Sequence, residues 1–264
     1  MSTVVDIPWP MLGLFFSTLS IPLLINYYYQ LGIAKDSLVS VTRMTVQLVL
    51  VGIYLEYLFE LDSLLINLVW LLAMVVVGAS SILEKAKLPK KPLFLPVMSG
   101  LLIGLTPTLS LISLAIVKPT PLYSAQYLIP LAGMLLGNSL GGNIVALQNL
   151  YTALEERKDQ YEAAIALGAS RVFATRPFVT DAIRKSLAPT LASMATSGLV
   201  TLPGMMTGQI LGGASPIIAI KYQVLIMIAI FVMMSVSTSI CLSFAIRTTI
   251  HPHGRILVKT LLDK

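Results

Sequence analysis

Seven long apolar runs constrain this chain more than any other feature. They cover approximately Trp9–Tyr29, Leu38–Phe59, Leu64–Leu83, Leu93–Val117, Leu122–Gln148, Leu187–Leu211 and Ala219–Arg247. A helix needs about 20 predominantly apolar residues to cross a hydrocarbon core of about 30 Å. Each run reaches that length, and a helix satisfies its own backbone hydrogen bonds where no water can. The expected fold is all-α. It is a polytopic integral membrane protein of about seven transmembrane helices, with residues 1–264 forming a single transmembrane domain.

Composition supports this. Of the 264 residues, 56% are apolar and only 11% are charged, against roughly 45–50% and about 25% in soluble domains. So little charge cannot solvate a globule of this size, and the mean hydropathy of +0.86 agrees. A soluble enzyme is excluded. So is a secreted disulfide scaffold, because Cys241 is the one cysteine. Asp6 is the one charge before the first run, so no cleaved signal peptide is expected.

The net charge of +6 and pI near 9.4 raise the question of nucleic acid. The positions of the charges answer it. Lys35; Lys85, Lys87, Lys90 and Lys91; Arg157, Lys158, Arg171, Arg176, Arg184 and Lys185; and Arg247, Arg255, Lys259 and Lys264 all fall in alternate connections or the C-terminal tail. The opposite set holds only Lys118 and Lys221, with Asp6, Glu60 and Asp62. Cytoplasmic loops carry the excess of Lys and Arg. The N-terminus is thus expected outside and the C-terminus in the cytoplasm of a cell-membrane protein, and no nucleic acid is expected as a partner.

One connection is long. Residues 149–186 form a polar cytoplasmic segment whose Leu150, Leu154, Tyr161 and Ile165 recur at helical spacing. Gly168 is placed to end that helix, and Pro177 fits the first turn of another.

Small residues recur every four positions: Gly133, Gly137 and Gly141 in the fifth run, Gly204, Gly208 and Gly212 in the sixth, with Gly100 and Gly104 in the fourth. Such faces admit close helix approach, either within the chain or at a subunit interface. Pro203 interrupts the sixth run, where it frees the carbonyl of Leu199. It reads as a static kink or as a hinge on a translocation path. Intramembrane polar groups are few: Arg43 and Gln47, four apart on one helical face, then Asn138 and Asn143, Gln209 and Gln223. A charge at the helix centre costs about 2.5–3.5 kcal/mol on insertion scales and is commonly functional. Arg43 alternatively snorkels to the interface. Glu56, Glu60 and Asp62 form an acidic outer rim, suited to a leaving cation or to a solvated turn.

Met205 and Met206 directly follow the Pro203 break. Thioether sulfur suits soft metals, and methionine also fills irregular apolar gaps. These two are the metal-site candidates. His251 and His253 are expected to be solvated in the tail. The chain has no GxxxxGK[ST] phosphate loop, so no ATP site is expected in it. No Lys lies between Val224 and Ala245, which removes a retinal Schiff base in the seventh span.

Within the long connection stands Glu162-Ala163-Ala164-Ile165-Ala166-Leu167-Gly168. This resembles the EAA loop of ABC transporter permeases, which precedes the last two spans and forms a coupling helix that docks on a separate ATPase. Where those permeases usually carry Ile-x-Leu-Pro about ten residues past the Gly, this chain reads Phe178-Val179-Thr180-Asp181. A second resemblance covers most of the chain. Arg43-x3-Gln47-Leu48-x3-Gly52, Ile129-Pro130-Leu131-Ala132-Gly133-Met134-x2-Gly137-Asn138, Leu202-Pro203-Gly204-Met205-Met206-x-Gly208 and Ile220-Lys221-Tyr222-Gln223 are similar to the FetB-type iron-export permeases and their plant aluminium-tolerance relatives.

That resemblance implies a non-enzymatic permease subunit that exports a metal cation. It implies a homodimer working with a cytoplasmic ABC ATPase, whose ATP-Mg is absent from this chain. Glu162, Ala163, Ala164, Leu167 and Gly168 become the ATPase-coupling residues. Arg43, Gln47, Asn138, Pro203, Met205, Met206, Gln209 and Gln223 are the path candidates, chosen on the physical grounds above. An ABC permease for an organic solute such as a nucleotide sugar, and a stand-alone secondary transporter or channel, remain open as alternatives.

Overall fold

The computed structural model describes residues 6–251, 254 and 255. His253, Lys259 and Lys264 lie outside the described residues. The ten α-helices are α1 (Trp9–Phe16), α2 (Ser20–Tyr29), α3 (Ala34–Leu61), α4 (Leu64–Ala86), α5 (Lys90–Leu111), α6 (Ala125–Glu156), α7 (Lys158–Ala166), α8 (Arg171–Thr196), α9 (Gly204–Leu211) and α10 (Pro216–Thr249). A 3-10 turn, Ser17–Leu19, joins α1 to α2, and a π turn, Ile112–Val117, extends α5. The described residues contain no strand, only an isolated bridge between Ser197 and Thr201.

Six stretches are long and apolar enough to cross a membrane: Trp9–Tyr29, Ala34–Leu61, Leu64–Ala86, Lys90–Val117, Ala125–Glu156 and Pro216–Thr249. Hydropathy places these well, but the helices overrun it. Helix α6 continues to Glu156, eight residues past the expected end at Gln148, because the polar stretch that follows is rich in helix formers.

The sixth expected span is the correction. Leu187–Leu211 is not one kinked helix. Helix α8 stops at Thr196, and Thr196 O then accepts the N–H groups of Leu199, Val200 and Thr201. Gly198 adopts φ +88°, a left-handed conformation that costs glycine little, and its N–H donates to Thr201 O at 2.8 Å. Pro203 is therefore no mid-helix kink. At φ −62° and ψ 146° it precedes the first turn of α9, where its missing donor costs nothing. Pro177 also departs from expectation. Ser170 caps α8, its hydroxyl accepting from Phe173 N at 3.3 Å, so the helix starts at Arg171 and Pro177 lies inside it.

The core joins α4, α5, α6, α8 and α10. One close backbone seam is the α5–α10 crossing. A Cβ at Gly100 would lie 2.7 Å from Ser237 O, and one at Gly104 would lie 3.0 Å from Met233 O. Of the small-residue series, this pair packs against α10, and a Cβ at Gly133 would meet Met74 Cε at 3.6 Å. Gly137, Gly141, Gly204 and Gly208 have nothing within 4 Å of a built Cβ.

The N-terminal arm is different. No residue of α1 or α2 is buried, and α3 buries only Leu58. The arm is anchored at one end. Leu58 packs with Ala125 and Ile129, Tyr54 lies 4.5 Å from the Trp70 ring, and Asp62 Oδ1 accepts Ala125 N at 2.8 Å.

Candidate functional site

The long connection folds into a compact knot. Helix α6 breaks at Arg157 (φ −113°, ψ 37°) and α7 follows. Gly168, at φ +87°, ends α7 in a Schellman turn: Gly168 N donates to Ile165 O at 2.9 Å and Ala169 N to Ala164 O at 3.0 Å. The inner face of α7 is held on three sides. Tyr161 is 1% exposed and its hydroxyl donates to Gly254 O at 2.7 Å. Burial pushes the Tyr161 phenol up from its ordinary value, with Arg171 opposing, so the phenol keeps the proton it donates. The Tyr161 ring meets Phe178 of α8 edge-on, with centroids 6.5 Å apart. Arg157 lies 4.7 Å over the Phe178 ring and 3.3 Å from Asp181. Arg171 Nη1 donates to Ile250 O at 2.8 Å, just past the C-terminus of α10. The connection is therefore tied to both α8 and α10.

Its outer face is bare. Of the coupling candidates, Glu162, Ala163, Leu167 and Gly168 are exposed, while Ala164 packs partly against the core. Leu167 is 89% exposed, an apolar side chain on a conformationally fixed turn. Glu162 pairs with Lys158 at 3.5 Å. Val172 and Phe173, in the first turn of α8, are exposed as well and extend the apolar patch. The Ser170-x-x-Phe173 cap was the signal for them, and the Pro177 assignment obscured it.

The path candidates are not all brought together. Arg43 and Gln47 are exposed on α3, in the loosely packed arm. Gln47 lines a groove of about 510 Å³ with Trp70 and Met74 of α4 and Gly133 and Gly137 of α6. Asn138 is exposed on α6, and its Nδ2 donates to Met134 O one turn back. Around the α8–α9 break, Leu199, Val200 and Leu202 are exposed beside Pro203. Met205 packs against the core and Met206 is half-buried. Gln209 on α9 and Gln223 on α10 each hold a buried side-chain oxygen without a hydrogen-bond partner, and α9 packs against α10.

Asn143 is fully buried. Its Nδ2 donates to Ser139 O and Oγ and, across helices, to Ser237 Oγ at 3.0 Å, so it staples α6 to α10. Among the described residues no three His, Cys, Asp or Glu are grouped to hold a metal ion.

A family model described as "Uncharacterised protein family (UPF0014)" matches residues 9–250. The UPF0014 membrane protein YjkA of Bacillus subtilis is 32% identical over 86% of this chain and 88% of its own length. The "Probable iron export permease protein FetB" of Escherichia coli is 30% identical over 92% and 93%. The plant Protein ALUMINUM SENSITIVE 3 of Arabidopsis thaliana is 33% identical over 77% and 73%. No solved structure matches. With six membrane-length apolar helical stretches among the described residues and a family model that matches residues 9–250, this chain is a multi-pass membrane protein that belongs to the UPF0014 family.

Proposed function

We propose that two copies of this chain form the membrane part of an ATP-driven exporter, with a separate cytoplasmic ABC ATPase docked beneath each copy. The cargo is iron or a related metal cation leaving the cytoplasm. The observation that carries this reading is Leu167, bare on a fixed turn whose opposite face is tied to α8 and α10. An exposed apolar knob on a rigid mount suits a partner that must push, since displacement of α7 reaches two membrane helices through Tyr161, Phe178 and Arg171. The name of the Escherichia coli relative supports the cargo.

The α8–α9 break supports two copies. Ser197 lies twelve residues past Lys185, about 18 Å along a helix rising 1.5 Å per residue. Irregular backbone at that depth persists where protein or water covers it, not lipid. The upper half of α8 offers Ala188, Ala192, Ser193, Ala195 and Thr196 on exposed positions, small residues that let helices approach. The path then runs between copies, past Asn138, Pro203, Met205, Met206, Gln209 and Gln223. ATP binding closes the ATPase pair, draws the α7 turns together and moves α8 and α10.

The test is co-purification with the ATPase subunit, native against Leu167→Asp. Association of the native pair and its loss in the variant are expected. If the intact pair does not associate, and Gly168→Pro leaves transport unchanged, the reading fails. Inverted vesicles given ATP in the outer medium separate the cargoes by uptake of labelled iron or of UDP-glucose, and a channel would need no ATP. Met205→Leu with Met206→Leu is expected to impair metal efflux and spare assembly; unchanged efflux reduces both to packing.

A further inference from the structure

A second groove, away from α3, opens between α4 and α5 toward the end of the molecule opposite α7. Its volume is about 470 Å³, within the roughly 300–1,000 Å³ range of ligand pockets. Leu68, Leu72 and Leu105 form walls, and Leu68 and Leu72 are each about half exposed. These residues belong to two apolar membrane-length helices, so the medium outside the groove is the acyl region of the bilayer.

The polar lining of the groove is Thr106, Ser110 and Ser113 along α5 and the π turn, with Tyr123 at the interfacial end. Ser113 is 4% exposed, and its buried hydroxyl has no hydrogen-bond partner. Among the described residues Ser110 has no hydrogen-bond partner either, although Ser235, Ser239 and Ser243 of α10 each donate to their own helix four residues back. A buried unpaired hydroxyl costs free energy until an acceptor arrives, and a serine hydroxyl reorients about a single bond. π turns recur at functional sites. Here the turn closes with Lys118 N donating to Ser113 O at 3.1 Å, which sets the Lys118 backbone directly above the serine. Lys118 is exposed and has no carboxylate partner among the described residues. From the membrane interface inward the order is thus a cation above the groove, then the hydroxyls of Ser113, Ser110 and Thr106 along one side of an apolar trough.

We propose that this groove is a phospholipid site in the leaflet opposite α7. The lipid phosphate meets Lys118, an ester carbonyl accepts from Ser113 or Ser110, and one acyl chain lies along Leu68, Leu72 and Leu105. The sequence of charge, acceptor and hydrocarbon in a phospholipid matches the groove in order and sign. The site is separate from the α8–α9 break, so it stands or falls independently of the transport reading.

The experiment is native mass spectrometry of the purified full chain, delipidated and then mixed with phosphatidylglycerol. One phosphatidylglycerol retained per chain is expected. Ser113→Ala combined with Lys118→Ala should lower the retained fraction at least five-fold. Leu68→Trp, at an exposed position that leaves the core untouched, should fill the trough and do the same without lowering the melting temperature. Retention in both variants equal to the native chain overturns the proposal. So does a Leu68→Trp variant that keeps its lipid but changes oligomeric state, which would mean that a second copy covers this face.

Discussion

Gly100→Ala tests the packing that holds the bundle together. The added Cβ would lie 2.7 Å from Ser237 O, 3.0 Å from Cys241 Cβ and 3.1 Å from Cys241 N. These are helix-backbone atoms and a first side-chain carbon, so no rotamer change clears them. Ordinary contact begins at 3.4 Å, and restoring it requires α5 and α10 to part by about 0.7 Å. A gap of 0.5–1 Å forfeits roughly a quarter to a half of each dispersion contact it opens, and here it also loosens Gly104 against Met233. Overpacking of this kind costs about 1–3 kcal/mol. Helix propensity returns at most about 1 kcal/mol for Gly→Ala. Because rigid backbone is involved, the net expected loss is about 1–2 kcal/mol. Gly137→Ala is the matched control: nothing lies within 4 Å of its built Cβ, so only the propensity gain applies in the single chain. At about 2–4 °C per kcal/mol for a chain of this size, Gly100→Ala should melt several degrees below Gly137→Ala. Cys241 supplies the assay. It is the chain's one cysteine and is fully buried at this crossing, so a thiol-reactive fluorogenic dye in detergent reports the seam's opening on heating. If Gly100→Ala melts with or above Gly137→Ala, the close crossing is wrong.

Three further outcomes follow from the geometry. Tyr161→Phe removes the 2.7 Å bond to Gly254 O and leaves a buried carbonyl unpaired, at a cost of about 1–3 kcal/mol. Hydrogen exchange should rise in α7 before the rest of the chain. The raised Tyr161 phenol stabilises the fold fully below its ordinary pKa of 10.0, and that contribution is lost as pH climbs past it; spectrophotometric titration of native against Tyr161→Phe should show one tyrosine ionising late. Asn143→Leu breaks the α6–α10 staple at Ser237. In membranes such bonds average about 0.6 kcal/mol and reach about 1.7, so a melting shift of a few degrees or less is expected. Asp62→Ala deletes the acceptor of Ala125 N at 2.8 Å, costs about 0.5–2 kcal/mol as a lost helix cap, and should speed proteolysis in the turn between α3 and α4.

How much of this was legible in the sequence depends on what the pattern encodes. Hydropathy located α4, α5, α6 and α10, because lipid solvates side chains and the runs state that need directly. It misplaced the sixth span, since a hydropathy window does not register backbone conformation. Gly198 and Pro203 together stop the helix, and the apolar Leu199, Val200 and Leu202 between them score as membrane whether or not they are helical. The turn at Gly168 was readable because its signal is local. The bond from Tyr161 to Gly254 was not, because 93 residues separate its ends.

The glycine series show the limit most sharply. Gly100 and Gly104 share their four-residue spacing with Gly137 and Gly141, yet one pair is pressed against α10 and the other faces open space. Spacing specifies that a face is smooth and leaves unstated what lies on it. Gly137 of α6 lines the groove beside Gln47 of α3 and Met74 of α4, whereas Gly204 and Gly208 of α9 directly follow the break at Ser197–Pro203. A smooth helix face in lipid gains little, because acyl tails are as apolar as leucine and adapt to any shape. In the proposed two-copy assembly, a second copy would gain close van der Waals contact from such a face. This gives Gly137 a second use beyond the control role. Gly137→Leu should not lower the single chain's melting, given the propensity gain, and should weaken self-association, read by cross-linking in membranes. If association is unaffected, the copies meet elsewhere.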